Sequence, residues 1–320
     1  MKKKFFSCVF ILFILFLLFN MFFHSIDINN IILFAMETFI TNIFPSLFPM
    51  FILANILSSI GLPEFLGSIF SKIMTKLFNV KGIASFVFFM SMISGFPSNA
   101  KYIKDLLDKK LIDEVDANKI LIFTFFSNPL FVINTVGLMF FNNIKIGLLM
   151  LISHILGNII VGLLFRNLFN KKEITLENIN IKKSFKVLHN KINNTNIFKS
   201  FLNNINSSLL VLLNIFGIIT CFLILNQIIN ANIKLNPLSN GILTGLLEFS
   251  TGLKSISMAN IDFNFKIYLS MFFISFGGFS VHAQIINILE DYKINYYVFF
   301  LSRVIHGLIS ILLLFLFINL

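Results

Sequence analysis

Charged residues are scarce in this chain, and tryptophan is absent. Only 12% of the 320 residues are Asp, Glu, Lys or Arg, whereas 57% are hydrophobic and the mean hydropathy is +0.90. A soluble globular domain has about 25% charged residues, so this composition excludes an ordinary soluble enzyme. It predicts a multi-pass membrane protein whose apolar segments form one membrane domain in the lipid bilayer.

Cysteine and arginine are also rare. Cys8 and Cys221 both lie inside apolar runs, which favours buried thiols over a disulfide or metal framework. Arg166 and Arg303 are the only arginines, and Phe, Ile, Asn and Lys are abundant, a pattern typical of AT-rich coding. No Cys/His/Asp cluster has metal-site spacing, and no glycine-rich phosphate loop is present. We therefore predict no metal and no cofactor.

The net charge of +11 does not predict a nucleic-acid partner. Basic residues lie mainly in loops between apolar runs, where the retention of positive loops in the cytoplasm explains them. Three lysines precede the apolar run that ends at Phe23, and no small-residue cleavage site follows it. This arrangement predicts an uncleaved first helix with its N-terminus in the cytoplasm.

Two apolar halves flank one polar segment. Residues 1–165 and 208–320 contain the apolar runs, and residues 166–207 form a basic, Asn-rich linker. After the extra first helix, each half has an apolar helix, a helix that ends in a Ser/Thr-Gly turn, and a helix broken in its middle. The sequence thus predicts an all-α, polytopic transmembrane bundle of two pseudo-repeated halves with broken or re-entrant helices.

Three further expectations concern the first half. The span at residues 29–60 carries Pro45 and Pro49, which predict a proline-marked break with a new helix start at Pro45. Residues 66–78 are too short to span a bilayer and are expected in the interface or as a re-entrant segment. Residues 101–118 are rich in Asp and Lys and predict an exposed amphipathic helix.

Four interruptions of the apolar runs carry most of the information in this chain. They are SGFP at 94–97, SNP at 127–129, EFSTG at 248–252 and GGFSVH at 277–282. Backbone groups freed by a break find no water in hydrocarbon, so breaks are tolerated where they line a buried or watery cavity. Corresponding breaks in two halves are typical of a transporter binding site, although each one alone can be a simple kink.

Each break begins a new helix whose first amides lack intrahelical partners. Pro97 and Pro129 suit the first position of a helix, and Asn128 suits the N-cap. Helix N-termini that converge near mid-membrane would bind a carboxylate, a phosphate or another electron-rich group. Lys101, one turn beyond Pro97, would add a full positive charge.

Other polar side chains at the breaks have competing interpretations. Glu248 would pair with Lys101, carry a coupling proton, or lie at a helix end near the interface. His282 would bind substrate or be a satisfied core imidazole, whereas His154 and His306 are expected to be packing residues. The candidate binding residues are Ser94, Gly95, Phe96, Pro97, Ser98, Asn99, Lys101, Ser127, Asn128, Pro129, Glu248, Ser250, Thr251, Gly277, Gly278, Ser280, His282 and Gln284.

An enzyme is not predicted. Ser94-Gly95 and the distant His306-Gly307 are a poor signal for an intramembrane serine protease, because their spacing is unconstrained and no second motif supports them.

Several motifs carry a family resemblance: FPSLFP at 44–49, SGFPSNAK at 94–101, SNPLF at 127–131, SFGGFSVHAQ at 275–284 and, more loosely, LEFSTGL at 247–253. On these motifs the chain resembles the sporulation integral membrane proteins of the YlbJ type, which belong with the nucleoside-recognition (Gate) membrane domains. The resemblance implies an endospore-forming bacterium and passage of dipicolinic acid toward the forespore through the outer forespore membrane. Ser98-Asn99 departs from the small residue and glycine expected there.

The favoured hypothesis is a transporter of a small organic anion, with dipicolinate as the implied substrate. The breaks would present amides to carboxylates, Lys101 would neutralise charge, and Phe96 or Phe279 would stack on the ring. One alternative is a non-transporting scaffold that recruits sporulation membrane partners through residues 166–207. Another is a nucleoside or metal permease of the Gate type. A homo-oligomer is a further candidate assembly.

Overall fold

The computed structural model describes residues 2–169 and 181–319, and every regular element within these ranges is a helix. The first half contains α1 (Lys2–Phe23), α2 (Ser25–Thr38), a π-helical turn (Phe39–Ile43), α3 (Phe44–Ser59), α4 (Leu62–Phe78), α5 (Ala84–Ser94), α6 (Ser98–Asp108), α7 (Glu114–Phe123), a π-helical segment (Phe131–Phe140) and α8 (Ile144–Phe165). The second half contains α9 (Ile181–Asn194), α10 (Ile197–Asn232), α11 (Pro237–Leu247), α12 (Phe249–Met258), α13 (Phe263–Phe276), α14 (Gly278–Ile288) and α15 (Tyr296–Ile318).

Five helical stretches in the described residues are long and apolar enough to cross a membrane. They are Ser25–Ser59, Ile144–Phe165, Phe198–Asn232, Phe263–Ile288 and Tyr296–Ile318. Their outer surfaces expose large apolar side chains, such as Leu308 and Leu312 on α15, that hydrocarbon would cover. The predicted all-α, polytopic class is confirmed, whereas the repeat relation between the halves stays a prediction.

The predicted break at Pro45 is wrong. Ser25–Ser59 is one continuous helix, in which a π-helical turn lies just before the proline and the Phe44 amide donates to the carbonyl of Phe39. A proline lacks an amide and crowds the carbonyl four residues earlier, and the wider π-turn relieves that crowding. Pro45 therefore begins no separate helix and presents no free N-terminus.

The polar linker is partly helical. Residues 170–180 lie outside the described residues, but α9 packs on α4, where Lys191 and Glu64 form an ion pair with an N–O distance of 2.7 Å. Residue 208, where the second apolar half is expected to begin, lies inside α10, which begins at Ile197 because the Asn196 side chain caps it. The Asn- and Lys-rich composition hides this cap in the sequence.

Residues 101–118 do not form the exposed helix that their charges suggest. They belong to α6 and α7, which are separated by a turn, and most of α6 is buried, including Tyr102, Ile103 and Leu106. The exposed charged side chains lie instead at the end of α6 and in the following turn: Asp108, Lys109, Lys110 and Asp113. Segment 66–78 lies within α4, a helix of 17 residues that buries one face and exposes Lys72 and Lys76.

Two apolar clusters form the core. One joins α3, α5, α6, α7 and α14, and the other joins the π-helical segment with α8, α12, α13 and α15. Phe249, at the start of α12, packs against both clusters. The break that precedes Phe249 therefore lies where the two clusters meet.

Candidate functional site

The two breaks of the first half contact each other directly. The Phe96 amide donates to the Phe126 carbonyl at 2.6 Å, and the Asn128 side-chain amide donates to the Ser94 carbonyl at 3.4 Å. Gly95 has a φ of 81°, and a side chain there would overlap the Asn128 backbone. The turn therefore requires glycine, both for its left-handed backbone and for the close approach.

The breaks of the second half join this contact. The backbone of Gly278 lies against that of Phe249, and a side chain on Gly277 would overlap the Phe125 ring. The Phe96 ring stacks on Phe125, with centroids 4.5 Å apart, and meets the edge of Phe249 at 5.2 Å. All four breaks thus gather around Phe96, Phe125 and Phe249, as the sequence predicts. We call this region the junction.

Four helices begin at the junction. α6 starts at Ser98, with Pro97 at its N-cap, and α14 starts at Gly278, after a left-handed Gly277. Asn128 Oδ1 accepts the amides of Leu130 at 2.9 Å and Phe131 at 3.3 Å, which confirms it as an N-cap. Pro129, directly after this N-cap, is half-buried. The fourth helix that begins at the junction is α12.

Glu248 is the N-cap of α12. Its carboxylate, on a residue that is only 3% exposed, accepts the amides of Ser250 and Thr251 at 3.3 and 2.9 Å. It also accepts both hydroxyls, at 2.8 and 2.9 Å. These donors and the helix dipole stabilise the negative charge, so the carboxylate needs no cation.

The predicted pairing of Lys101 with Glu248 is wrong. The Lys101 ammonium lies 3.2 Å from the Asp105 carboxylate, one turn further along α6, and 3.4 Å from Asn55 Oδ1 on α3. Lysine side chains reach an i+4 acid easily, and this local partner takes the charge. Lys101 is therefore neutralised within the chain in this conformation.

Three buried side chains at the junction lack hydrogen-bond partners. Asn99 is fully buried in the first turn of α6, and neither of its amide atoms has a partner. The buried hydroxyls of Ser98, in the same turn, and of Ser280, in the first turn of α14, also have none. α6 and α14 pack against each other. Leaving a buried polar group unpaired costs about 1–3 kcal/mol, so such groups mark a place for a polar ligand or water.

Other predicted residues have partners within the chain. Ser94 donates to the Met90 carbonyl and accepts from Tyr102, and the Ser127 amide donates to a ring nitrogen of His154 at 2.9 Å. His282 contacts the Phe276 carbonyl at 2.9 Å and the Tyr296 hydroxyl at 3.3 Å, the arrangement of a satisfied core imidazole. Gln284 is also buried. The binding roles of the whole predicted set stay predictions.

The comparisons with known proteins agree with the motifs. The Gate family model, described as nucleoside recognition, matches residues 40–145, which include both breaks of the first half. The sporulation integral membrane protein YlbJ of Bacillus subtilis (strain 168) is 31% identical over 290 residues, covering 83% of this chain and 71% of that protein. This chain belongs to the YlbJ family of sporulation integral membrane proteins. No solved structure matches it significantly.

In this member of the YlbJ family, a buried polar network holds the backbone freed by the second break. Asn158 on α8 donates to the Phe125 carbonyl at 2.5 Å, and a guanidinium nitrogen of Arg303 donates to the Ile122 carbonyl. His306 contacts the carbonyls of Ser275 at 3.1 Å and His154 at 3.0 Å. α8 and α15 thereby donate to the carbonyls of Ile122, at the end of α7, and of Phe125, just before the second break.

This network is not predicted from the sequence, in which His154 and His306 are expected to be packing residues. The structure corrects that expectation: His154 contacts Ser127 and Ser275, and its ring lies 4.8 Å from that of His306. The available signal is spacing. His154 and Asn158 are four residues apart, and Arg303 and His306 are three apart, so each pair shares one helix face.

A surface cluster ties the far ends of α6 and α14. Lys104 Nζ lies 2.6 Å from the Asp291 carboxylate and 3.6 Å from Asp108, and the Tyr292 hydroxyl donates to Asp108 at 2.5 Å. That hydrogen bond, more than burial, raises the pKa of Tyr292 above its usual 10.0. We call Lys104, Asp108, Asp291 and Tyr292 the latch. α6 and α14 therefore each run from the junction to the latch.

Proposed function

We propose that this YlbJ-family protein transports a small organic anion, with dipicolinate as the substrate and the outer forespore membrane as the location. The observation that supports this most strongly is the convergence of four broken segments at the junction, where two of the helices that begin there carry the buried, unpartnered Asn99 and Ser280 in their first turns. Broken helices that meet inside a membrane bundle are the usual construction of a transporter binding site.

The chemistry of the junction suits a planar dicarboxylate. The N-termini of α6 and α14 would direct the positive ends of their dipoles toward a bound carboxylate. Asn99 and Ser280 add hydrogen-bond donors that nothing else in the described chain uses. Phe96, Phe125 and Phe249 supply flat apolar surfaces for an aromatic ring.

Transport then follows from relative movement of α6 and α14. In this conformation the two helices pack together and the latch ties their outer ends, so the junction is closed on the latch side. Opening the latch would separate the helices and expose Asn99 and Ser280. Closing the latch would bury the bound anion again. The junction would then open toward the other side of the membrane.

Uptake into proteoliposomes tests the proposal. We expect saturable uptake of labelled dipicolinate, and we expect Asn99→Ala and Ser280→Ala to raise the KM about tenfold, the effect of one lost hydrogen bond to a charged group. Ser208→Ala is the matched control, because it removes another fully buried, unpartnered hydroxyl on α10. Uptake no greater than in empty vesicles would contradict the transporter and favour a scaffold.

A further inference from the structure

Arg303 is a buried cation without an acidic partner in the described chain. The side chain is fully buried within α15, and no carboxylate of the described residues lies within 4.0 Å of it. Its contacts are with neutral groups: Asn158 Oδ1 at 3.1 Å, a ring nitrogen of His306 at 3.2 Å, Ser302 Oγ at 3.3 Å and the Ile122 carbonyl.

These neutral contacts hold the guanidinium but do not cancel its charge. An unpaired charge is costly to bury, and polar acceptors and aromatic faces offset only part of that cost. The Arg303 guanidinium lies 4.7 Å from the centre of the Phe125 ring and 5.6 Å from that of Phe299. Such an environment favours an anion that arrives from outside the chain.

The guanidinium also lies next to the junction. Phe125, whose ring covers Arg303, is the same residue that stacks on Phe96 and fills the space beside Gly277. Ile122, whose carbonyl accepts from Arg303, is in the last turn of α7 before the second break. One aromatic ring therefore separates the cation from the place where the four breaks meet.

We propose that Arg303 is the residue that selects a carboxylate substrate. This inference rests on the proposed function and assigns the charge-recognising role to Arg303, since Asp105 already neutralises Lys101. When the junction opens, the Phe125 ring moves aside and a substrate carboxylate replaces neutral acceptors of the guanidinium. The planar fork of arginine then donates two parallel hydrogen bonds to the carboxylate, which a lysine cannot do.

The test is equilibrium binding of labelled dipicolinate to the purified full-length protein, with unlabelled pyridine-2,6-dicarboxamide as an uncharged competitor of the same shape. We expect the native protein to prefer the dicarboxylate. Arg303→Gln should weaken dipicolinate binding at least 30-fold while changing dicarboxamide binding less than threefold, and Arg303→Lys should give an intermediate loss. Arg166→Gln removes the other arginine, at the end of α8, and should leave both affinities unchanged.

Each outcome separates this inference from the transport proposal. If Arg303→Gln is folded and keeps the native preference for the dicarboxylate, Arg303 is not the selecting residue, even if the native protein transports dipicolinate. If Arg303→Gln does not fold, unchanged binding by Arg303→Lys overturns the inference. If the preference depends on Arg303 but vesicles take up nothing, the inference stands and transport fails. If the native protein binds no dipicolinate, both fail.

Discussion

At the residue scale, the informative feature is which partner each polar side chain finds. Asn128 is predictable as an N-cap, because a cap acts on its own next residues. The partner of Lys101 is not predictable in the same way, since Asp105 on the same helix competes with every distant acid. Arg303 is harder still, because its partners come from α7 and α8.

The capping role of Glu248 gives a prediction about stability. Glu248→Gln removes the charge and turns one acceptor oxygen into a donor that faces the donors of Ser250 and Thr251. We expect the free energy of unfolding to fall by about 1–3 kcal/mol, visible as a lower midpoint of thermal unfolding in detergent. Glu37→Gln, at an exposed position on α2, is the control and should change little. Equal midpoints for both variants would contradict the capping role.

At the element scale, the four breaks are what permit the helices to converge. Gly95, Gly277 and Gly278 all have positive φ, and their neighbours leave no space for a side chain. These positions follow from backbone chemistry, which explains why the sequence reveals them. The helices that cover the breaks, α8 and α15, are apolar along most of their length, so the sequence indicates their length but not the partners of their few polar side chains.

A pair of glycine substitutions tests the importance of the breaks. Gly277→Ala places a side chain at a φ of 88° against the Phe125 ring, and we expect a loss of at least 2 kcal/mol in unfolding free energy. Gly217→Ala, on α10, meets open space and should stabilise the helix by up to about 1 kcal/mol. Thermal unfolding of the two variants in the same detergent measures both effects. A similar shift for both would show that the break tolerates a side chain.

The sequence predicts the class, the spans and the breaks, because these depend on hydropathy, proline and glycine. It does not predict the continuous helix through Pro45 or the start of α10 at Ile197. A π-turn leaves no clear mark in composition, and one cap among many asparagines is hard to distinguish. The sequence also does not predict how deeply a helix is buried. The charges of α6 suggest an exposed helix, yet most of α6 is buried between neighbouring helices.

At the scale of the whole molecule, α6 and α14 connect the junction to the latch. Their inner ends carry Asn99 and Ser280, and their outer ends are held by Lys104 and Asp291. An exposed ion pair contributes only about 0–1 kcal/mol, so the latch is weak enough to open in the proposed transport cycle. In the proposed mechanism, the substrate therefore reaches the junction only when the latch opens.

Crosslinking the latch tests that coupling most directly. In a protein with Cys8 and Cys221 replaced by serine, Lys104→Cys and Asp291→Cys are joined by a short reducible crosslinker, and dipicolinate uptake into proteoliposomes is measured before and after reduction. A matched protein with Lys104→Cys alone controls for the reagent. We expect that joining the two cysteines abolishes uptake and that reduction restores it. Undiminished uptake with the latch held closed would contradict a substrate path between α6 and α14.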